Sequence, residues 1–141
     1  MTESDEAIAR RRLVRYVAAG LAAAVATVYM LIGLSVISVV QVAPGDEASM
    51  LAFGLPAAVA FGLGAVLLLA TDRRWLWMLG GVLQVLVITM YFVVAPTRVP
   101  SFEIWGILIR VAQVTLLIGL IYLAVTRPQP ANMSWGSMAA I

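Results

Sequence analysis

Cysteine, histidine and lysine are all missing from this 141-residue sequence, and charged residues make up only 11% of it. Without cysteine there is no disulfide, thiol relay or thiolate nucleophile. Without histidine there is no imidazole to ligate haem or a transition metal, or to switch charge near neutral pH. The methionines are scattered, without the paired spacing that copper(I) favours. No metal site and no cofactor is expected. Every cation is an arginine, which accounts for a net charge of +2 and a pI of about 9.5. Such a pI in a soluble chain would point to nucleic acid. Here it follows from topology, and no nucleic-acid partner is expected.

What is abundant is apolar: 63% of residues, with a mean hydropathy of +1.03. A soluble domain is closer to half apolar and about a quarter charged. Too little polar surface remains to coat a water-soluble globule, so lipid is the expected solvent for most of the chain. A helix needs about 20 apolar residues to cross the hydrocarbon. Four runs qualify, at 16–41, 49–70, 75–95 and 104–126. Pro44, Gly45, Asp46 and Glu47 break the first pair, Asp72, Arg73 and Arg74 the second, and Pro96, Arg98 and Pro100 the third. Short connections make neighbours antiparallel, so an all-α, up-down bundle of four transmembrane helices is predicted, forming a single domain over 16–127. A basic juxtamembrane tail over 1–15 extends helix one, and 128–141 is expected to be a flexible cytoplasmic tail. The apolar run of span one is too long for a cleaved secretory signal.

Arginine placement sets the orientation. Arg10, Arg11, Arg12, Arg15, Arg73, Arg74 and Arg127 share one side, and Arg98 stands on the other. The positive-inside rule then puts both termini in the cytoplasm of a multi-pass cell-membrane protein. Arg10, Arg11, Arg12 and Arg15 are expected to touch anionic lipid, with Glu6 four residues before Arg10 and able to pair with it. Tyr16, Trp75, Trp77 and Tyr122 fall near the inner boundary, and Tyr91, Phe102 and Trp105 near the outer one.

A 52-residue offset aligns Val42, Ala43, Pro44, Ser49 and Gly54 with Val94, Ala95, Pro96, Ser101 and Gly106. Two duplicated helical hairpins would explain it, and so would the general likeness of apolar helices joined by proline turns. Ser49 and Ser101 are placed to cap spans two and four.

Arg110 stands out, inside span four and about 10 Å from its start. An intramembrane arginine is a functional candidate by default. Glu103, Gly106, Arg110 and Gln113 fall on one helical face. With Gln84, Thr89 and Tyr91 of span three and Ser35 and Ser38 of span one, they would line an outward-facing polar cleft beneath Asp46, Glu47 and Arg98. One reading is structural: Arg110 pairs with Glu103, and Gln84 with Gln113, as interhelical bonds. The other is a site for an anionic or lipid-like ligand. Gly54, Ala58, Gly62 and Gly64 are expected to be the packing face of span two, and Pro56 to kink it.

No nucleophile–base set is present, and lone carboxylates such as Glu103 or Asp46 make no enzyme. The expectation is a small non-catalytic membrane protein, an accessory or assembly subunit of a larger membrane-protein partner. The alternative is a homo-oligomeric transporter, channel or anion- or lipid-binding protein working through Arg110.

Overall fold

The computed structural model describes residues 3–37, 47–94 and 104–126. They form four helices and, among the described residues, no strand: α1 (Glu3–Gly33), α2 (Glu47–Ala70), α3 (Arg74–Val94) and α4 (Ile104–Val125). All four are long and apolar enough to cross a membrane. α1, at 31 residues or about 46 Å, is the longest, because the basic tail continues it as helix back to Glu3. Glu3, Asp5 and Glu6 occupy its first turn, where the helix dipole favours anions. The Glu6–Arg10 pair does not form, and both residues are exposed.

Span one ends earlier than its hydropathy suggests. Beyond Gly33 the amide of Ser35 bonds to the carbonyl of Ile32 at 3.0 Å, and that of Val36 to Leu31 at 2.9 Å. This is a Schellman stop, with Ser35 in the left-handed conformation (φ 58°) that glycine usually takes. The β-branched Val36 and Ile37 that come next are poor helix formers. Ser35 therefore lies past the helix end, exposed, and lines no cleft.

Which face of each helix turns inward is set by a repeat of alternating fours and threes. In α1 it runs Arg11, Arg15, Ala18, Ala22, Val25, Tyr29, Ile32; in α2 it runs Gly54, Ala58, Phe61, Ala65, Leu68. In α4, Gly106, Arg110, Gln113, Leu116, Leu120 and Leu123 share the inner face, and in α3 Trp77, Gln84 and Tyr91 recur every seventh residue. A mean period of 3.5 keeps one seam inward when helices cross at a shallow angle.

α1 lies between α2 and α4, and α3 packs on α4. No comparable approach of α2 to α3 exists among the described residues, although only residues 71–73 join them. One core cluster draws on all four helices and gathers Trp77 with Ala65, Leu68, Ala18 and Leu120. Trp77, in the first turn of α3, is thus a core residue, 3% exposed. The second cluster joins Val25, Tyr29 and Ile32 to Ala58 and Ile109, with no buried residue from α3. A two-fold relation between the hairpins α1–α2 and α3–α4 would match the α1–α4 contact with one between α3 and α2. The packing lacks that symmetry, and most of the aligned segment lies outside the described residues.

α1 and α2 touch backbone to backbone at Gly33 and Gly54. A Cβ on Gly54 would stand 2.6 Å from the Gly33 Cα and 2.7 Å from the Tyr29 carbonyl oxygen. Ala58 continues that seam, buried one turn further along. Gly62 and Gly64 do not: a Cβ at either would meet nothing within 4 Å. They flank the inward stripe and leave the packing to Phe61 and Ala65. Gly54→Leu is therefore expected to lower stability by about 3 kcal/mol through forced separation of the two backbones. Gly62→Ala should change it by no more than about 0.5 kcal/mol. Unfolding by titration with denaturing detergent, monitored by circular dichroism, checks the difference.

Candidate functional site

Four polar side chains meet inside the apolar helices. Arg110, Gln113 and Gln84 are 8%, 0% and 4% exposed, and Tyr29 is 2%. Tyr29 and Gln113 fall on inward seams because of the 3.5-residue period, and Gln84 is the middle member of the α3 series. The Arg110 guanidinium donates through Nη2 to the Tyr29 hydroxyl at 2.9 Å and through Nη1 to the Gln113 side-chain oxygen. Gln113 Nε2 donates to the same hydroxyl at 3.3 Å. Gln84 Nε2 donates to the backbone carbonyl of Gln113 at 3.1 Å, using the second lone pair of a helical carbonyl.

Two aromatic rings complete the shell. The Arg110 guanidinium carbon stands 4.3 Å from the centroid of the Tyr91 ring, a cation–π contact. Tyr29 stacks on Phe61 at 5.6 Å and meets Phe53 edge-on at 6.0 Å, which fixes its phenol from the α2 side. Gly106 makes room for Tyr91, since a Cβ there would stand 2.5 Å from the phenol oxygen. Among the described residues no carboxylate pairs with Arg110, and its buried Nε has no hydrogen-bond partner.

The structure thus brings Arg110, Gln113 and Gln84 together, and the expected interhelical bond between Gln84 and Gln113 forms. The side chain of Gln113 serves Arg110, and Gln84 takes the main chain instead. Arg110 turns into the protein, toward Tyr29 and Tyr91, and not outward toward water. Thr89 is exposed and takes no part. Asp46, Arg98, Glu103 and Ser38 lie outside the described residues, as do the side chains of Glu47 and Ser49. Tyr29 escaped the sequence reading. Its signal is a lone phenol on the inward seam of α1, because a buried hydroxyl needs a partner.

A second polar cluster lies at the opposite end, where α1 passes the ends of α2 and α4. Arg11, 9% exposed, holds Asp72 with two bonds, Nη2 to Oδ1 at 2.6 Å and Nε to Oδ2 at 3.2 Å. Its Nη1 donates to the Leu123 carbonyl at 2.9 Å, to the Thr126 hydroxyl at 2.7 Å and to the Thr126 carbonyl. Arg15 donates to the carbonyls of Leu68 and Leu69, both at 3.0 Å. Those carbonyls end α2 and α4, where helices lack acceptor partners and the dipole favours cations. Trp77 Nε1 also donates to Asp72, at 3.1 Å. Of the four arginines expected at lipid headgroups, Arg11 and Arg15 are therefore engaged inside the protein, and Arg10 and Arg12 stay exposed. The two inward members are those on the buried seam of α1.

Burial would raise the Asp72 carboxyl. The hydrogen bonds from Arg11 and Trp77, with the charges of Arg11 and Arg15, outweigh it and hold the group below its usual range. Comparison with protein-family models, curated proteins and solved structures finds no match to this chain.

A carboxyl held low contributes stability that is complete above its unfolded-state value, about 3.9, and is lost as pH falls through the lower folded-state value. The wild type should therefore lose stability as the pH drops below about 4. Asp72→Asn should be less stable than the wild type at neutral pH by about 2 kcal/mol and lack that increment of acid sensitivity. Detergent-titration midpoints of both proteins between neutral pH and about pH 3 decide this. Parallel curves would remove Asp72 from the account.

Proposed function

We propose that this is a multi-pass protein of the cell membrane, with both termini cytoplasmic, acting without catalysis as an accessory or assembly subunit of a larger membrane complex. The distribution of polarity supports the membrane reading. Large apolar side chains such as Leu63, Val82, Val111 and Ile118 are 60–67% exposed, while Arg110, Gln84 and Gln113 are buried. In water that arrangement is unfavourable on both counts, and in lipid it is favourable on both. The arginine asymmetry supports the orientation.

The observation that carries the subunit reading is the commitment of the buried polar groups to one another. Arg110, Gln113, Gln84 and Tyr29 tie α1, α3 and α4 together. Such bonds hold a scaffold in one arrangement. Outside it, Gly20 on α1 and Gly62 and Gly64 on α2 leave places where another helix can approach closely.

One observation favours a second reading, a site for an anionic group at Arg110. The cation is buried, its Nε is unpartnered, and its neutral partners leave the charge uncompensated among the described residues.

Native mass spectrometry of the protein, released gently from its own membrane with its lipids, separates the two. The subunit reading expects a larger protein in fixed stoichiometry, and Gly62→Leu should release it while the isolated chain still folds. A homo-oligomer carrying a small anion that is lost on Arg110→Gln would replace that reading with the second. A reporter fused behind Arg127 should read cytoplasmic and one within the 44–49 loop external. The reverse pattern would overturn the orientation.

A further inference from the structure

Arg73 and Arg74 contrast with the arginines that the fold uses. Arg11 and Arg15 sit at the negative ends of α4 and α2, with carbonyls and Asp72 as partners. Arg73 and Arg74 stand at the start of α3, the positive end of its dipole, with no acidic residue in its first turn. The carboxylate next to them in sequence, Asp72, is held by Arg11 and Trp77. Both arginines are exposed, and neither side chain has a hydrogen bond or ion pair among the described residues. Two cations thus stand side by side where the helix disfavours positive charge, and no described residue compensates them.

An open depression of about 690 Å³ lies against them, lined by Arg73, Arg74, Trp75 and Met78. Trp75 is 58% exposed and Met78 54%, and Val82, 67% exposed, stands one turn further on along the same face. The depression therefore has two cations at its head, an amphipathic ring beside them, and an apolar stripe running down α3. α3 is the helix least covered by the rest of the protein.

On this basis, and resting on the membrane reading above, we infer that Arg73 and Arg74 bind the phosphate of an anionic phospholipid whose acyl chain lies along Trp75, Met78 and Val82. The phosphate supplies the charge missing at the head of α3, the two guanidinium groups can each bond a phosphate oxygen, and the indole sits at headgroup level. Arg10 and Arg12 provide the internal control. They are likewise exposed and unpaired among the described residues, but they lie well inside the long helix α1, away from a dipole end, and do not line this depression.

The test measures lipid retention by native mass spectrometry after reconstitution from vesicles of equal phosphatidylglycerol and phosphatidylcholine content. The wild type should retain phosphatidylglycerol over phosphatidylcholine by about thirtyfold, on the scale of two arginines at an anionic surface. The double variant R73Q/R74Q should fall to near parity, and R10Q/R12Q should keep the preference. Glycerol phosphate, a headgroup without chains, should not displace the retained lipid. Equal losses in the two double variants would overturn the site in favour of a general basic surface, and displacement by glycerol phosphate would overturn the acyl contact. Parity in the wild type would remove the site while leaving the membrane reading intact, whereas a chain that does not enter the vesicles overturns both.

Discussion

Each of the three guanidinium nitrogens of Arg11 is engaged, and the groups they hold come from two parts of the chain far apart in sequence. Asp72 belongs to the connection between α2 and α3, and Leu123 and Thr126 to the end of α4. Among the described residues α2 and α3 approach each other less than the other helix pairs in contact do, so Asp72, bonded to both Arg11 and Trp77, helps to fix how the second hairpin leaves the first. Arg15, one turn along, holds the end of α2 against the same helix. A planar fork with several donors can bind a carboxylate, two backbone carbonyls and a hydroxyl at once, which an ammonium at the same place would not do. Removing Arg11 would leave a partly buried carboxylate and several orphan carbonyls together, a cost well above that of one lost hydrogen bond.

Arg110 is the same residue in the opposite circumstance. It is buried like Arg11 but has no carboxylate among the described residues, only a phenol, an amide oxygen and the face of a ring. A hydrogen bond to a charged group and a desolvated cation–π contact are each worth about 2 kcal/mol. An arginine at the centre of a lipid-facing helix costs about 3 kcal/mol on the insertion scale. The neutral shell is thus enough to keep the charge in place. It does so by drawing a phenol from α1, a ring from α3 and an amide from α4. The charge is tolerated only where those helices meet, so it fixes their relative depth.

Much of the architecture was legible because length and hydropathy alone mark four apolar runs, and three of the four helices begin and end within a few residues of the expected places. Arg110, Gln84 and Gln113 were legible as polar exceptions in an apolar background. The inward face was harder to see. Where every side of a helix is apolar, hydropathy contrast no longer separates core from exterior, and the choice falls to small and polar residues on a 3.5-residue seam. Gly62 continues the four-residue spacing of Gly54 and Ala58, but the seam in α2 runs through Phe61 and Ala65 and leaves both Gly62 and Gly64 beside it. Arg11 and Asp72 are 61 residues apart, and no local pattern announces such a pair. The stop after Gly33 depends on a backbone conformation at Ser35 that serine rarely adopts, so composition favours a longer helix than the chain forms.

In α3 these constraints act together. Its directional contacts with the rest include Trp77, Gln84 and Tyr91, each seven residues from the next: a ring in the core that donates to Asp72, an amide on a carbonyl, and a ring over a cation. Each is a directional contact with a particular partner, where the α1–α2 seam depends on close approach of two backbones. Directional contacts fix rotation and depth with little buried area, and that is why α3 can leave most of its surface outward and still have one orientation. The outward face then owes nothing to internal packing. Its sequence, from Arg73 and Trp75 to Val82 and beyond, is free to be shaped by whatever surrounds the protein.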